Sequence, residues 1–125
     1  MYEVTIERSF AASHGLRHYK GATEPTHEHE WRVWVTVSGK EVDASGCLVD
    51  FLDLDAAFQE AVAGWRGRHM NEEPPFETPE SSPSAEQVAR AVFETIQARM
   101  PTHARLTRVE VEEEPGCRAA WVSEA

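Results

Sequence analysis

The sequence predicts an α+β fold in which a four-stranded antiparallel sheet carries two helices on one face. Apolar and polar residues alternate near both ends of the chain, which is typical of half-buried strands. Between these regions, apolar residues recur every three to four positions, which is the spacing of amphipathic helices. The resulting order is ββααββ, and strands that are segregated from helices in this way form α+β proteins.

The two N-terminal strands are separated by a loop. Residues 2–10 alternate between apolar and polar and form the first predicted strand. Residues 13–26 contain two glycines and a proline, which favour a loop. Residues 28–42 form the second predicted strand. The apolar residues on one face of this strand are Trp31, Val33, Val35 and Val37.

Two helices follow. Asp50 is the predicted N-cap of the first helix. The apolar stripe of this helix consists of Phe51, Leu54, Phe58, Ala61, Val62 and Trp65. The start of the second helix fits two registers: Pro83 takes the first helical position, or Ser84 forms a capping box with Gln87. The apolar stripe of the second helix consists of Val88, Val92 and Ile96.

Two strands complete the chain, at residues 105–113 and at Cys117–Val122. On the first of them, Glu113 shares the parity of Val109 and Val111 and points where apolar residues point. A carboxylate in such a place needs a partner, which makes Glu113 a candidate binding residue. The nearby carboxylates predicted to face solvent are Glu110, Glu112 and Glu114.

Composition narrows the classes of function. The chain has 125 residues and a net charge of −10, so we expect one domain over residues 1–125. A strongly acidic protein is a poor partner for nucleic acids and anionic membranes, and neither is expected as a partner. The two cysteines are predicted to be reduced thiols, and no signal peptide or membrane span is recognisable. These features predict a cytoplasmic location.

A group of histidines is the clearest chemical signal. His27 and His29 stand two residues apart on a strand, so both imidazoles project from one face. If the first two strands pair antiparallel, His14 meets them. Three histidines with one open position are the ligand set of a catalytic zinc ion. Spacing alone does not separate this site from ordinary solvated histidines.

A cupin metal motif is an alternative interpretation of the segment from Gly21 to His29. That motif requires a glutamate four or five residues after the second histidine, where this chain has Val33 and Trp34. Cupins are also all-β proteins, whereas two amphipathic helices occupy the middle of this chain. Both differences make a cupin fold the weaker interpretation.

Five segments, in order, resemble the motifs of the family of 6-pyruvoyltetrahydropterin synthase and 6-carboxytetrahydropterin synthase. These segments are residues 10–14 (F-x-A-x-H), 27–29 (H-x-H), 46–54 (G-x-x-x-D-F-x-x-L), 83–86 (P-S-x-E) and 109–121 (V-x-V-x-E, ending in A-x-W). The resemblance implies the tunnelling fold (T-fold), which has the ββααββ order. It also implies a homohexamer, a dimer of trimers, with active sites between subunits. The unpaired edges of a small sheet favour such an oligomer independently.

The resemblance also implies roles for individual residues. His14, His27 and His29 resemble the zinc ligands of the family, and Glu113 resembles the carboxylate that binds the pterin ring. A carboxylate suits that role because it accepts two parallel N–H bonds from a 2-amino-4-oxo pyrimidine edge.

Two positions depart from the family pattern. Thr23 stands where the family has a catalytic cysteine, and a hydroxyl is far too weak an acid to replace a thiolate. The segment 66–71 also lacks the Asp–His pair of the family. Glu24, beside the cysteine position, and His69, two places after the missing pair, are therefore the candidate catalytic residues.

The expected function is that of a zinc-dependent lyase acting on the side chain of dihydroneopterin or its triphosphate. Two alternatives stay open. The chain can be a non-catalytic pterin-binding or interaction protein on the same fold, or a zinc enzyme that acts on another heterocycle. The first of these predicts tight pterin binding without a product.

Overall fold

The computed structural model describes residues 1–124, which form a four-stranded antiparallel sheet covered on one face by two helices. The strands are β1 (Tyr2–His14), β2 (His27–Gly39), β3 (Arg105–Glu114) and β4 (Cys117–Val122). The helices are α1 (Phe51–Val62) and α2 (Ala85–Gln97), with a short 3-10 helix at Met70–Glu72 between them. The sheet order is β1-β2-β3-β4. The predicted α+β class and the ββααββ order are confirmed.

Both helices begin at a side-chain cap. Asp50 accepts a hydrogen bond from the Leu52 N–H at 2.8 Å, as predicted for the N-cap of α1. Ser84 accepts from the Gln87 N–H at 3.2 Å, which makes Ser84 the N-cap of α2. This geometry decides between the two registers left open by the sequence, and it places Pro83 immediately before the cap.

The first two strands begin or end at residues other than those predicted. β1 continues to His14, because residues 11–14 find antiparallel partners at the start of β2. β2 begins at His27 and ends at Gly39, so the loop between the strands shortens to residues 15–26. The displacement brings His14 into the regular sheet.

The buried face of α1 differs from the predicted stripe at its first residue. Phe51 is 59% exposed, because the first turn of the helix extends past the edge of the core. The residues of α1 that are buried are Leu54, Ala57, Phe58 and Val62. On α2 the predicted stripe is buried and is widened by Ala89 and Phe93.

β3 contains two irregularities that alternation does not predict. The register between β2 and β3 shifts at Thr107, which has no partner residue on β2. As a result Leu106, and not Thr107, is buried. The register between β3 and β4 shifts between Glu112 and Glu114. Glu112 is only 6% exposed, contrary to the prediction that it faces solvent, because two arginines bind it: Arg118 at 3.0 Å and Arg32 at 3.4 Å.

Within residues 1–124, no helix is both long enough and apolar enough to cross a membrane.

Candidate metal centre

Strand register brings the three predicted histidines together at one end of the sheet. His14 on β1 lies directly opposite His27 on β2, and His29 lies opposite Ala12 on the same face. One ring nitrogen of each histidine lies within 4.8 Å of the others. His14 is completely buried, and its ring packs edge-on against Trp31 at a centroid distance of 4.8 Å. The strands therefore supply three imidazoles with their rings already positioned.

A backbone carbonyl selects the tautomer of His14. The Nδ1 atom of His14 lies 2.7 Å from the carbonyl oxygen of Pro83. A carbonyl only accepts hydrogen bonds, so Nδ1 carries the proton and donates it. In the neutral ring, Nε2 then carries a lone pair and faces the other two histidines. This arrangement of an imidazole held by an outer acceptor is typical of metal ligands.

A carboxylate selects the tautomer of His27 in the same way. The Nε2 atom of His27 donates to Oε1 of Glu24 at 2.9 Å, and the same oxygen accepts from the Leu16 N–H at 3.0 Å. The lone pair of His27 is therefore on Nδ1, which lies 2.5 Å from Nε2 of His29. The Pro83 carbonyl and the Glu24 carboxylate thus orient His14 and His27, so that one lone pair of each ring points towards the same place.

The electrostatics favour a neutral His14 ring and an ionised Glu24 carboxylate. Burial is the largest effect on His14 and lowers the pKa of its imidazole, because the charged form loses hydration. The hydrogen bond from His27 is the largest effect on Glu24 and lowers the pKa of that carboxyl. Neutral imidazole and ionised carboxylate are the forms that bind metal ions.

The donor atoms fit a divalent cation. Nε2 of His14 is buried without a hydrogen-bond partner among the described residues, although Oε1 of Glu113 lies 2.5 Å from it. The same carboxylate oxygen is 4.0 Å from Nε2 of His29. Two acceptor atoms at this distance repel each other unless a proton or a metal ion lies between or beside them. Three imidazoles with a neighbouring carboxylate are a ligand set that suits zinc.

Glu113 reaches the histidines because of the second irregularity in β3. Arg118 pairs with Glu112 and Cys117 pairs with Glu114, so Glu113 is the extra residue between two ladder pairs. Its side chain is 24% exposed, which leaves the carboxylate accessible to a ligand. The predicted inward direction of Glu113 therefore agrees with the structure, but a bulge produces it in addition to parity.

The two candidate catalytic residues lie in different places. Glu24 contacts the histidine group directly through His27. His69 instead lies at the outer edge of β1, where Nδ1 is 3.1 Å from Oγ of Ser13. Ser13 alternates with His14 and projects from the opposite face of the strand. Within residues 1–124 the structure brings Glu24 to the histidines and does not bring His69 to them.

Thr23 and the two cysteines occupy exposed positions. Thr23 lines a shallow pocket with His18, Gly21 and Ala22. Cys47 and Cys117 are both exposed, and partial desolvation, followed by the neighbouring carboxylate of Glu114, raises the pKa of the Cys117 thiol. A thiol with a raised pKa is a poor nucleophile at neutral pH.

Two supporting residues were missed by the sequence analysis. The amide of Asn71 is buried and bonds both backbone groups of Gly15: its Oδ1 accepts from the N–H at 2.9 Å, and its Nδ2 donates to the carbonyl at 2.8 Å. The carbonyl of Pro83 was not considered either, because a main-chain acceptor has no side-chain signature. A polar residue in a connector gives no periodicity from which its burial can be inferred.

Comparison with known proteins agrees with this architecture. The family model of 6-pyruvoyl tetrahydropterin synthase matches residues 3–124. The chain is 28% identical over 127 residues to 6-carboxy-5,6,7,8-tetrahydropterin synthase of Bacillus subtilis (strain 168), covering 98% of this chain and 79% of the relative.

Solved structures show the same fold. A Caenorhabditis elegans 6-pyruvoyl tetrahydropterin synthase superposes with a TM-score of 0.82 at 24% identity, over 99% of this chain and 98% of the other. A Plasmodium vivax 6-pyruvoyltetrahydropterin synthase, with a catalytic glutamate replaced by alanine, superposes with a TM-score of 0.74 at 16% identity, over 96% of each chain. The fold and the histidine site define a T-fold protein with a candidate metal centre. The chain belongs to the 6-pyruvoyl tetrahydropterin synthase family.

Proposed function

We propose that this protein is a zinc-dependent lyase that acts on the side chain of a reduced pterin, dihydroneopterin or its triphosphate. One observation carries the proposal: lone pairs of His14, His27 and His29 converge beside the accessible carboxylate of Glu113, in a chain of the 6-pyruvoyl tetrahydropterin synthase family. Names of two relatives, from Bacillus subtilis and Caenorhabditis elegans, refer to tetrahydropterin synthases and support a pterin as the substrate class.

The three histidines would hold the zinc ion, which, when bound, lowers the pKa of a coordinated hydroxyl and makes it easier to deprotonate. Glu113 would bind the 2-amino-4-oxo edge of the pterin through two charge-assisted hydrogen bonds. Because Glu113 lies within 4.0 Å of both His14 and His29, the residues that would bind the pterin ring and those that would hold the metal are neighbours. The pterin side chain would therefore lie across the histidine group.

Glu24 is the proposed proton acceptor. Its carboxylate is held in place by His27 and by the Leu16 N–H, and in the sequence it is next to Thr23, the position that resembles that of the family's catalytic cysteine. A Plasmodium vivax relative uses a glutamate as a catalytic residue, which supports a glutamate in this role. A carboxylate that already accepts hydrogen bonds needs no reorganisation before it takes a proton.

His69 has no proposed step within its own chain, since it projects from the other face of β1. In the homohexamer implied by the family resemblance, it can act only at the site of a neighbouring subunit. The exposed edge strand β4, with Trp121 and Val122 on its surface, is the edge that such an assembly would cover. Light scattering measures the mass of the assembly directly.

The first experiment incubates zinc-loaded protein with dihydroneopterin triphosphate and with dihydroneopterin, and analyses the products by mass spectrometry. The mass of a new pterin shows which bond is cleaved and whether triphosphate leaves. Glu113→Gln is the test variant and Glu114→Gln its matched control, since Glu114 is the next residue but is exposed. Protein that carries zinc and leaves both compounds unchanged contradicts the proposed activity.

A non-catalytic pterin-binding protein is the second candidate. It is favoured by the exposed hydroxyl of Thr23 at the cysteine position and by the lowered pKa of Glu24, which weakens that carboxylate as a base. This candidate predicts pterin binding that is lost in Glu113→Gln, with no product at any incubation time. Calorimetry and mass spectrometry on the same samples separate the two candidates.

A further inference from the structure

We propose that Arg17 is a positioning residue for the metal centre. It holds the connector between the 3-10 helix and α2, residues 73–84, and the Pro83 carbonyl of this connector selects the tautomer of His14. The inference deepens the proposed function and rests on it. Arg17 lies three residues after His14, beyond the end of β1, and contacts none of the three histidines among the described residues. Its influence would pass through carbonyl groups of the connector and through the Ser82 hydroxyl.

The guanidinium of Arg17 binds the connector through carbonyl oxygens. Nη1 lies 2.5 Å from the carbonyl of Phe76, 3.0 Å from that of Thr78 and 3.1 Å from that of Ser81. Nη2 donates to the carbonyl of Asn71 at 2.8 Å. One planar group with five N–H donors thus contacts four carbonyls, one in the 3-10 helix and three in the connector that follows it.

The backbone of Arg17 extends the same connection to the residue before Pro83. Its N–H donates to Oγ of Ser82 at 2.9 Å. The next carbonyl along the chain, that of Pro83, accepts from Nδ1 of His14 at 2.7 Å. His14 and Arg17, which are close in sequence, therefore contact two neighbouring residues of the connector, Pro83 and Ser82. These two contacts fix the imidazole and its acceptor with respect to each other.

On the N-terminal side of the acceptor, Arg17 makes most of the hydrogen bonds that hold the chain. Pro83 is followed by Ser84, the N-cap of α2, which fixes the C-terminal side of the carbonyl. On the other side, residues 76–82 reach the body of the protein through the buried ring of Phe76, through Arg17, and through His18, whose Nε2 lies 2.8 Å from the carbonyl oxygen of Pro79. If Arg17 releases this segment, the Pro83 carbonyl gains freedom, and Nδ1 of His14 no longer has a single acceptor at a fixed distance.

The consequence for the metal follows from the tautomer. Imidazole in solution populates both neutral forms, and only the form protonated at Nδ1 presents a lone pair at Nε2. Outer acceptors of metal-binding histidines change metal affinity by about 10–100-fold when they are removed. We therefore expect Arg17 variants to bind zinc about tenfold more weakly, at the lower end of that range, since the carbonyl stays and only its position is loosened.

The test uses Arg17→Gln, which removes the charge, and Arg17→Lys, which keeps the charge but cannot span four carbonyls. Arg105→Gln is the matched control, because its guanidinium is exposed and bonds only the Ser123 hydroxyl within the described part of the chain. Zinc affinity is measured by competition with a chromophoric chelator. The tautomer of His14 is measured on metal-free protein by long-range ¹H–¹⁵N NMR of the imidazole nitrogens.

The expected result is that both Arg17 variants lose about tenfold in zinc affinity and show a mixture of His14 tautomers, while Arg105→Gln matches the unsubstituted protein. The inference is overturned if affinity and tautomer both stay unchanged, or if affinity falls while His14 keeps its single Nδ1-protonated form. Should the Arg17 variants fail to fold, Ser82→Ala removes one contact of the same connection, and the same two criteria decide.

Failure of the proposed function gives a different result. If the unsubstituted protein binds no zinc, the metal-dependent activity is refuted, whatever the Arg17 variants do. The tautomer measurement still decides the role of Arg17 in that case, because it needs no metal.

Discussion

Gly15 packs against the backbone of Glu24, beside the candidate metal centre. The variant Gly15→Ala tests whether this contact fixes the position of the Glu24 segment. A Cβ atom at this position would lie 2.6 Å from the carbonyl oxygen of Glu24. Ordinary contact begins near 3.4 Å, so one backbone segment must move by 0.8 Å to restore it. Gly15 cannot yield, because Asn71 holds its N–H and its carbonyl. Overpacking of this kind costs about 1–3 kcal/mol.

The displaced segment carries Glu24, whose carboxylate orients His27. We therefore expect Gly15→Ala to lower the free energy of unfolding by about 1–3 kcal/mol and to weaken zinc binding by about tenfold or more. Urea unfolding and chelator competition measure the two effects. Gly64→Ala is the control, since an added Cβ there meets no atom within 4 Å. Equal behaviour of the two variants would refute the claim that the Glu24 segment is fixed by contact with Gly15.

Three further predictions concern single side chains. His29→Ala should lose most of the bound zinc in metal analysis while His103→Ala keeps it, because only His29 belongs to the group of converging nitrogens. Glu113→Gln should weaken pterin binding by about 10–100-fold in calorimetry, the value of a hydrogen bond to a charged group. Burial lowers the pKa of His14, so the unfolded chain binds more protons below the ordinary histidine pKa of about 6.5. The unfolding temperature of metal-free protein should therefore fall as pH drops from about 7 to about 5, and this fall should shrink in His14→Gln.

The parts of the site that lie on strands could be predicted from the sequence, since a strand fixes direction by parity. Alternation alone puts His27 and His29 on one face, and the antiparallel pairing of β1 and β2 adds His14. The position of Glu113 was predicted from parity although a bulge also determines it. Bulges arise from side-chain packing across neighbouring strands, which a single strand sequence does not contain.

The parts that lie on connections could not be predicted. Residues 71–83 are rich in proline and polar residues, a composition typical of a surface connector, yet the structure buries Asn71, Phe76 and Pro83. What holds these residues is a set of bonds between main-chain and side-chain groups far apart in sequence, and such bonds leave no periodic pattern. The sequence therefore predicts the candidate metal ligands, whereas the acceptors that orient those side chains are seen only in the fold.

The two candidate proton-transfer residues, Glu24 and His69, differ in their hydrogen bonds and in the face of the sheet on which they lie. Oε1 of Glu24 accepts from His27 and Leu16, and no described residue bonds its second oxygen, so one oxygen anchors the carboxylate and the other is left for a proton. Nδ1 of His69 instead bonds the Ser13 hydroxyl, on the face of β1 opposite to His14. Since the hydrogen bond from His27 lowers the pKa of Glu24, a reaction that uses Glu24 should keep its base active well below pH 6. A reaction that uses His69 from another subunit should instead lose its rate in His69→Ala, whereas a reaction that uses Glu24 alone should keep it. The kcat/KM of that variant therefore distinguishes a site completed within one chain from a site completed between two.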